Sequence, residues 1–208
     1  MAREGILAGR DVSWSSGIMV GGQLASLDEP GTVLTGFNVT HCVFTSVAVG
    51  VQVAVGDWNS PASPGNPPPF GRVENVLLSD LTQTGALQGI AALNYVVGVR
   101  MTRLNTFAGG AQRLHMPAGS AGGFLWYCQN VLIDHSRFGH ERRVDPTPDG
   151  EGIDFEGGND NVIFRNNVVD YNWGPGMLVS AVWFAYLHVL NSACVCEATQ
   201  VCNISGLF

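Results

Sequence analysis

The sequence predicts an all-β fold, a right-handed parallel β-helix of about six coils, on three observations. Short apolar runs are broken by turn residues, with 27 glycines and ten prolines in 208 residues. The runs fall into two series that alternate along the chain. Within each run apolar side chains recur with period two, the spacing of a strand with one buried face.

The first series begins at glycine: Gly17-Ile-Met-Val, Gly50-Val-Gln-Val, Gly89-Ile-Ala-Ala, Gly123-Phe-Leu-Trp, Gly152-Ile-Asp-Phe and Gly176-Met-Leu-Val. Counted along the chain, these glycines stand 33, 39, 34, 29 and 24 residues apart. The expected inward pairs are Ile18/Val20, Val51/Val53, Ile90/Ala92, Phe124/Trp126, Ile153/Phe155 and Met177/Val179, all apolar. The second series begins at Asn or Gly: Gly36-Phe-Asn-Val, Asn75-Val-Leu-Leu, Gly98-Val-Arg-Met, Asn130-Val-Leu-Ile and Asn161-Val-Ile-Phe. Six places after its start comes Cys42, Ser136 or Asn167, with Leu81 and Leu104 as departures. No single coil can bury its own face, so stacked coils must share one core. Asn and Gly supply the left-handed backbone that sharp corners need.

Residues 1–180 are expected to form the coils, with a Pro/Gly-rich loop insertion at 56–72 that cannot pair as a central strand. Two longer connections, Gly98 to Gly123 and Asn130 to Gly152, belong to consecutive coils and should stack on one side. Residues 181–208 are apolar and rich in cysteine, and are set apart as a tail or end cap. No cap helix is visible before Gly17, so the chain reads as a fragment of a longer solenoid whose uncapped ends invite self-association.

Composition narrows the partners. Seventeen acidic residues face ten arginines and no lysine, giving a net charge of -7 and a pI near 5.0. That balance offers no basic face for nucleic acid and excludes a lysine base or Schiff base. No run is long enough for a membrane span, and the start Met1-Ala-Arg-Glu lacks an apolar signal region. The five cysteines have no metal-ligand spacing and read as buried thiols.

Charge is densest from His140 to Asp160. In the expected register Asp154 and Glu156 point outward from one strand, about 7 Å apart, beside Leu125/Tyr127 and Leu178/Ser180 of the neighbouring coils. Two carboxylates next to an aromatic ring suit a sugar, whose faces stack on rings and whose hydroxyls bond carboxylates. Asp154 and Glu156 are the candidate acid–base pair for a polysaccharide. His140, where the chain enters the acidic loop, is a third catalytic candidate. Tyr127 and Trp173 are candidate stacking residues, and Arg142 and Arg143 would meet a uronate carboxyl. Asp149 and Glu151, with Asp154 and Glu156, could hold calcium through oxygen ligands. The same acids also fit solvated turn residues paired with nearby arginines, as in a non-catalytic surface, adhesin-like or structural module.

The segments Asn130-Val-Leu-Ile-Asp-His-Ser-Arg-Phe138 and Asp149 to Val179 resemble bacterial β-helix repeat proteins of the pectate-lyase-like group. The resemblance covers roughly Gly36 to Val179 and implies the solenoid, a polysaccharide lyase or hydrolase activity, and an extracellular or cell-surface setting. Asp149-Gly-Glu-Gly-Ile-Asp154 is similar to a polygalacturonase motif. Its threonine, the later Asp-Asp and the Gly-His-Gly element are missing, as is the Asp-Pro-His-Asp motif of alginate epimerases.

Overall fold

The computed structural model describes residues 16–21, 33–54, 72–85, 89–107, 109, 120–142, 150–179, 186–195 and 204–205. Within them the chain winds through three parallel sheets in a fixed order, A, B, C. The first turn comprises β1 (Ser16–Gly21) in sheet A, β2 (Val33–Thr35) and β3 (Asn38–Thr40) in B, and β4 (Val43–Thr45) in C. The second has β5 (Val49–Ala54), β6 (Arg72–Ser79) and β7 (Thr82–Thr84). The third has β8 (Gly89–Asn94), β9 (Val96–Thr102) and β10 (Asn105–Phe107). The fourth has β11 (Gly123–Trp126), β12 (Gln129–Asp134) and β13 (Arg137–Gly139). The fifth has β14 (Ile153–Phe155), β15 (Asp160–Arg165) and β16 (Val168–Asp170). The sixth has β17 (Met177–Val179), β18 (Leu187–Leu190) and β19 (Ala193–Val195), and β20 (Ile204–Ser205) returns to sheet A. The fold is the expected right-handed parallel β-helix.

Sheet C is a third ladder that the sequence repeat does not separate from the second. Its strands are three residues long and follow sheet B after a two-residue corner. The segment set apart at 181–208 also contributes: β18, β19 and β20 extend sheets B, C and A in register. The Pro/Gly loop expected at 56–72 lies outside the described residues, except for Arg72 at the start of β6.

Sheet B follows the expected register. Val76/Leu78, Val99/Met101, Val131/Ile133 and Val162/Phe164 are buried one above another. The Asn or Gly that opens each run has a left-handed backbone, with φ of 58° at Asn75, 75° at Gly98, 54° at Asn130 and 53° at Asn161. That is why these two residue types recur there.

Sheet A departs from the expected register in two coils. Val51 and Val53 pair with Ala91 and Leu93, and these pair with Gly123 and Leu125. The inward positions are therefore Ala91/Leu93 and Gly123/Leu125, not Ile90/Ala92 and Phe124/Trp126. The residue aligned with Gly50 and Gly152 is Gly122, while Ile90 occupies that column in the third coil. Packing explains the column. A Cβ on Gly122 would stand 2.4 Å from the Gly152 carbonyl oxygen and 3.0 Å from the Phe138 ring.

The three corners are built alike. One residue takes a left-handed backbone, as His41, Asp80, Arg103, His135, Asn166 and Asn191 do between sheets B and C. The next residue turns inward, and from Leu104 onward between sheets B and C its N–H is met by a side chain of the following coil. Leu104 N–H donates to Ser136 Oγ at 3.0 Å, Ser136 N–H to Asn167 Oδ1 at 2.8 Å, and Asn167 N–H to Ser192 Oγ at 3.2 Å. The fifth coil has an asparagine at every corner. Asn159, Asn167 and Asn172 accept the N–H groups of Cys128, Ser136 and Glu141 at 2.8–2.9 Å. Their amide nitrogens donate to the carbonyls of Leu125, Ile133 and Phe138 at 2.9–3.1 Å. Around this frame Phe138, Phe155 and Phe164 meet, with ring centroids 6.1–6.2 Å apart.

Asn167→Ala would leave Ser136 N–H and Ile133 C=O buried without these partners. It should lower the unfolding free energy in a urea titration by about 2–4 kcal/mol. Asn166→Gly, at the exposed left-handed position beside it, should change stability by less than about 1 kcal/mol.

Candidate functional site

The outer face of sheet A carries the predicted carboxylates. Along β14, Ile153 and Phe155 face the core and Asp154 faces out. Asp154 pairs with Phe124 on one side and Leu178 on the other. Glu156 follows the strand, and its N–H donates to Leu125 O at 2.9 Å, which sets it beside Trp126. The neighbours in the preceding coil are thus Phe124 and Trp126 rather than Leu125 and Tyr127, because Leu125 is an inward residue. Asn94 pairs with Trp126, and Gln52 with Ala92, which pairs with Phe124. Two outward columns result, Gln52–Ala92–Phe124–Asp154–Leu178 and Asn94–Trp126–Glu156. Asn94 is 1% exposed and Asp154 4%, whereas Phe124, Trp126 and Glu156 are half-buried. A carboxylate here works in a low dielectric, where hydrogen bonds and charge count for more than in water.

The other predicted residues divide between two corners. Tyr127 has a left-handed backbone between sheets A and B, stacks on Tyr95 with centroids 5.0 Å apart, and lies 5.8 Å from the Trp126 ring. Its N–H donates to Gly157 O, the residue after Glu156, so it borders the carboxylate pair. His140 sits at the corner between sheets C and A, stacked on Tyr171 at 5.0 Å with the tilted Phe107 ring 4.5 Å away on centroids. Trp173 and Arg142 share that corner and are exposed. Trp173 N–H donates to Glu141 O and Arg142 N–H to Gly109 O, at 2.9 and 3.0 Å. His140 is therefore held by rings at its corner and belongs to the Arg142–Trp173 group, apart from the mid-strand Asp154. Arg143 and Asp149 lie outside the described residues. Glu151 is buried, and its Oε2 accepts the Gly150 N–H at 3.0 Å. Among the described residues no group of three or more His, Cys, Asp or Glu side chains gathers as a metal site.

No protein-family model, curated protein or solved structure matches the chain.

Phe124, Trp126 and Asn94 join the site through the register shift at Gly122–Gly123. Glu141 is the further residue, read in sequence as one more charge of an acidic loop. It is the inward residue of its corner, 1% exposed, and neither carboxyl oxygen makes a well-formed hydrogen bond. Burial pushes its carboxyl up to about 8, the Thr106 hydroxyl opposes the shift, and the charge of nearby Glu151 adds to it. An acid raised from 4.5 to about 8 on folding keeps its proton in the folded chain after the unfolded chain has lost it. Its contribution to stability is complete below about pH 4.5 and falls as pH rises toward 8. Without added metal, the wild type should lose up to about 1.4 kcal/mol per pH unit across that window through this group. Urea titrations at pH 5, 6, 7 and 8 should show a flatter profile for Glu141→Gln; parallel profiles would refute the assignment.

Proposed function

We propose that this protein binds polysaccharide along the outer face of sheet A. Asp154 and Glu156 bond sugar hydroxyls, and Phe124 and Trp126 stack on sugar faces. The observation that carries this reading is the register: two carboxylates alternate along one strand, each beside an aromatic side chain of the coil before. Asp154 and Glu156 are then the acid–base pair of a lyase or hydrolase, and Tyr127 extends the aromatic edge. Arg142 and Trp173, with His140, would meet the chain further on, at the corner between sheets C and A, and Arg143, next in sequence, would serve the same uronate carboxyl. The likeness of residues 130–138 and 149–179 to pectate-lyase-like β-helix repeats supports the same substrate class. A polysaccharide substrate implies an extracellular or cell-surface setting.

One observation favours a second reading, a non-catalytic module. Asp154 is covered almost as fully as Gln52 and Asn94, which suits binding or structure better than turnover.

Affinity electrophoresis in pectin, alginate and neutral glycans, with product analysis, tests both. Asp154→Asn with Glu156→Gln, and Trp126→Ala separately, should each weaken retardation at least about tenfold. Unsaturated or reducing ends that vanish in the double variant would establish the enzyme. Retardation without product would establish the module. Wild-type retardation in the double variant would sink the assignment of this face.

A further inference from the structure

The corner between sheets C and A holds an acid where the next coil has an asparagine. Arg142 N–H donates to Gly109 O and Trp173 N–H to Glu141 O, so Gly109, Glu141 and Asn172 stand one above another on successive coils. Asn172 serves the coil before it twice. Its Oδ1 accepts the Glu141 N–H at 2.9 Å, and its Nδ2 donates to Phe138 O at 3.1 Å. Glu141 reaches back to the third coil in the same way, since a Cβ on Gly109 would stand 1.6 Å from its Oε2. The residue in register with Phe138 on that coil is Thr106. A carboxylate has only acceptors to offer there, whereas a protonated carboxyl has a donor and an acceptor, as an amide does.

The surroundings favour the proton. Glu141 is 1% exposed, and neither carboxyl oxygen makes a well-formed hydrogen bond. Burial is the largest influence on it, followed by the Thr106 hydroxyl from β10 and the charge of Glu151 from the approach to β14. Its own corner carries His140 and Arg142, and the next coil carries Tyr171 and the Arg137–Asp170 pair. What depends on this carboxyl is the placing of its neighbours. The Glu141 carbonyl holds the Trp173 N–H, while Arg142 is tied to Gly109 O and its own carbonyl accepts the Ser120 Oγ–H at 2.6 Å.

We propose that Glu141 is a positioning residue: as the neutral acid it latches the corner that presents Arg142 and Trp173, and its ionisation releases them. The consequence for binding rests on the glycan reading of that corner: retention there should fail in alkaline solution. Glutamine at this position is a permanent latch, because it keeps a donor and an acceptor at every pH.

The full chain labelled with 5-fluorotryptophan reports the latch without any glycan. The Trp173 resonance, assigned by its loss in Trp173→Phe, should move in the wild type with a midpoint near pH 8 and stay fixed in Glu141→Gln. His140, Tyr171 and Glu151 are intact in that variant, so a response that it keeps would overturn the role of Glu141. A wild-type resonance that pH does not move would overturn the latch itself. Gly109→Ala displaces the carboxyl and should hold Trp173 in its alkaline position already at pH 6; it decides the matter if Glu141→Gln does not fold. In affinity electrophoresis through alginate and unesterified pectin, wild-type retardation should fall at least about threefold from pH 6 to pH 9 and persist in Glu141→Gln. Equal wild-type retardation at both pH values would refute the regulation of binding. If neither glycan retards the chain at any pH while Trp173 titrates in the wild type alone, the glycan reading falls and the latch stands.

Discussion

At five of the described corners one interior N–H points along the long axis and is met by a side chain of the next coil. A buried amide left without that partner costs about 1–3 kcal/mol, and three corners per turn would multiply the cost. The chain meets the demand with the side chain one coil further on: Ser136, Asn159, Asn167, Asn172 and Ser192 all serve this purpose. Each amide or hydroxyl group must face inward, so each corner must place its preceding residue in the left-handed region. The short strands, the abrupt turns and the narrow apolar core all depend on this exchange. Hydrophobic stacking then fills what the corners enclose.

The outside of the stack follows another logic. Arg103 meets Asp80 at 2.6 Å, Arg137 meets Asp170 at 2.8 Å and Arg165 meets Asp134 at 3.5 Å, each pair joining successive coils. Arg137 bonds both oxygens of Asp170, a planar fork that an ammonium cannot reproduce. A chain whose basic residues are all arginine is suited to such axial clasps. The exposed Arg103–Asp80 pair adds little energy, whereas in the other two the carboxylate is buried under its arginine. All three favour one register of coil upon coil over its neighbours.

Sheet B was readable because its starting Asn or Gly answers a backbone requirement that few other residues meet. Sheet A was readable in the coils where one glycine precedes an alternating run. It misled where Gly122–Gly123 offered two starts, and where Gly89-Ile-Ala-Ala-Leu is buried on both faces and shows no period. Sheet C left no separate signal, since three residues cannot establish an alternation; only the small or polar residue before it, such as Ser136 or Asn167, hinted at a corner. The Asp154–Glu156 pair could be read because a strand fixes which way alternate side chains point. Its true neighbours could not, because a shift of one residue exchanges the two faces. Glu141 was hidden among loop charges, as burial is a property of the coil above it and not of its own segment.

The corner bonds also have a direction. In all five cases the amide belongs to the earlier coil and its acceptor to the later one. During synthesis, a newly emerged coil therefore holds interior amides that nothing yet satisfies, and it is completed by the coil that follows it out. Winding and translation share one polarity, and the growing end is always the unfinished one.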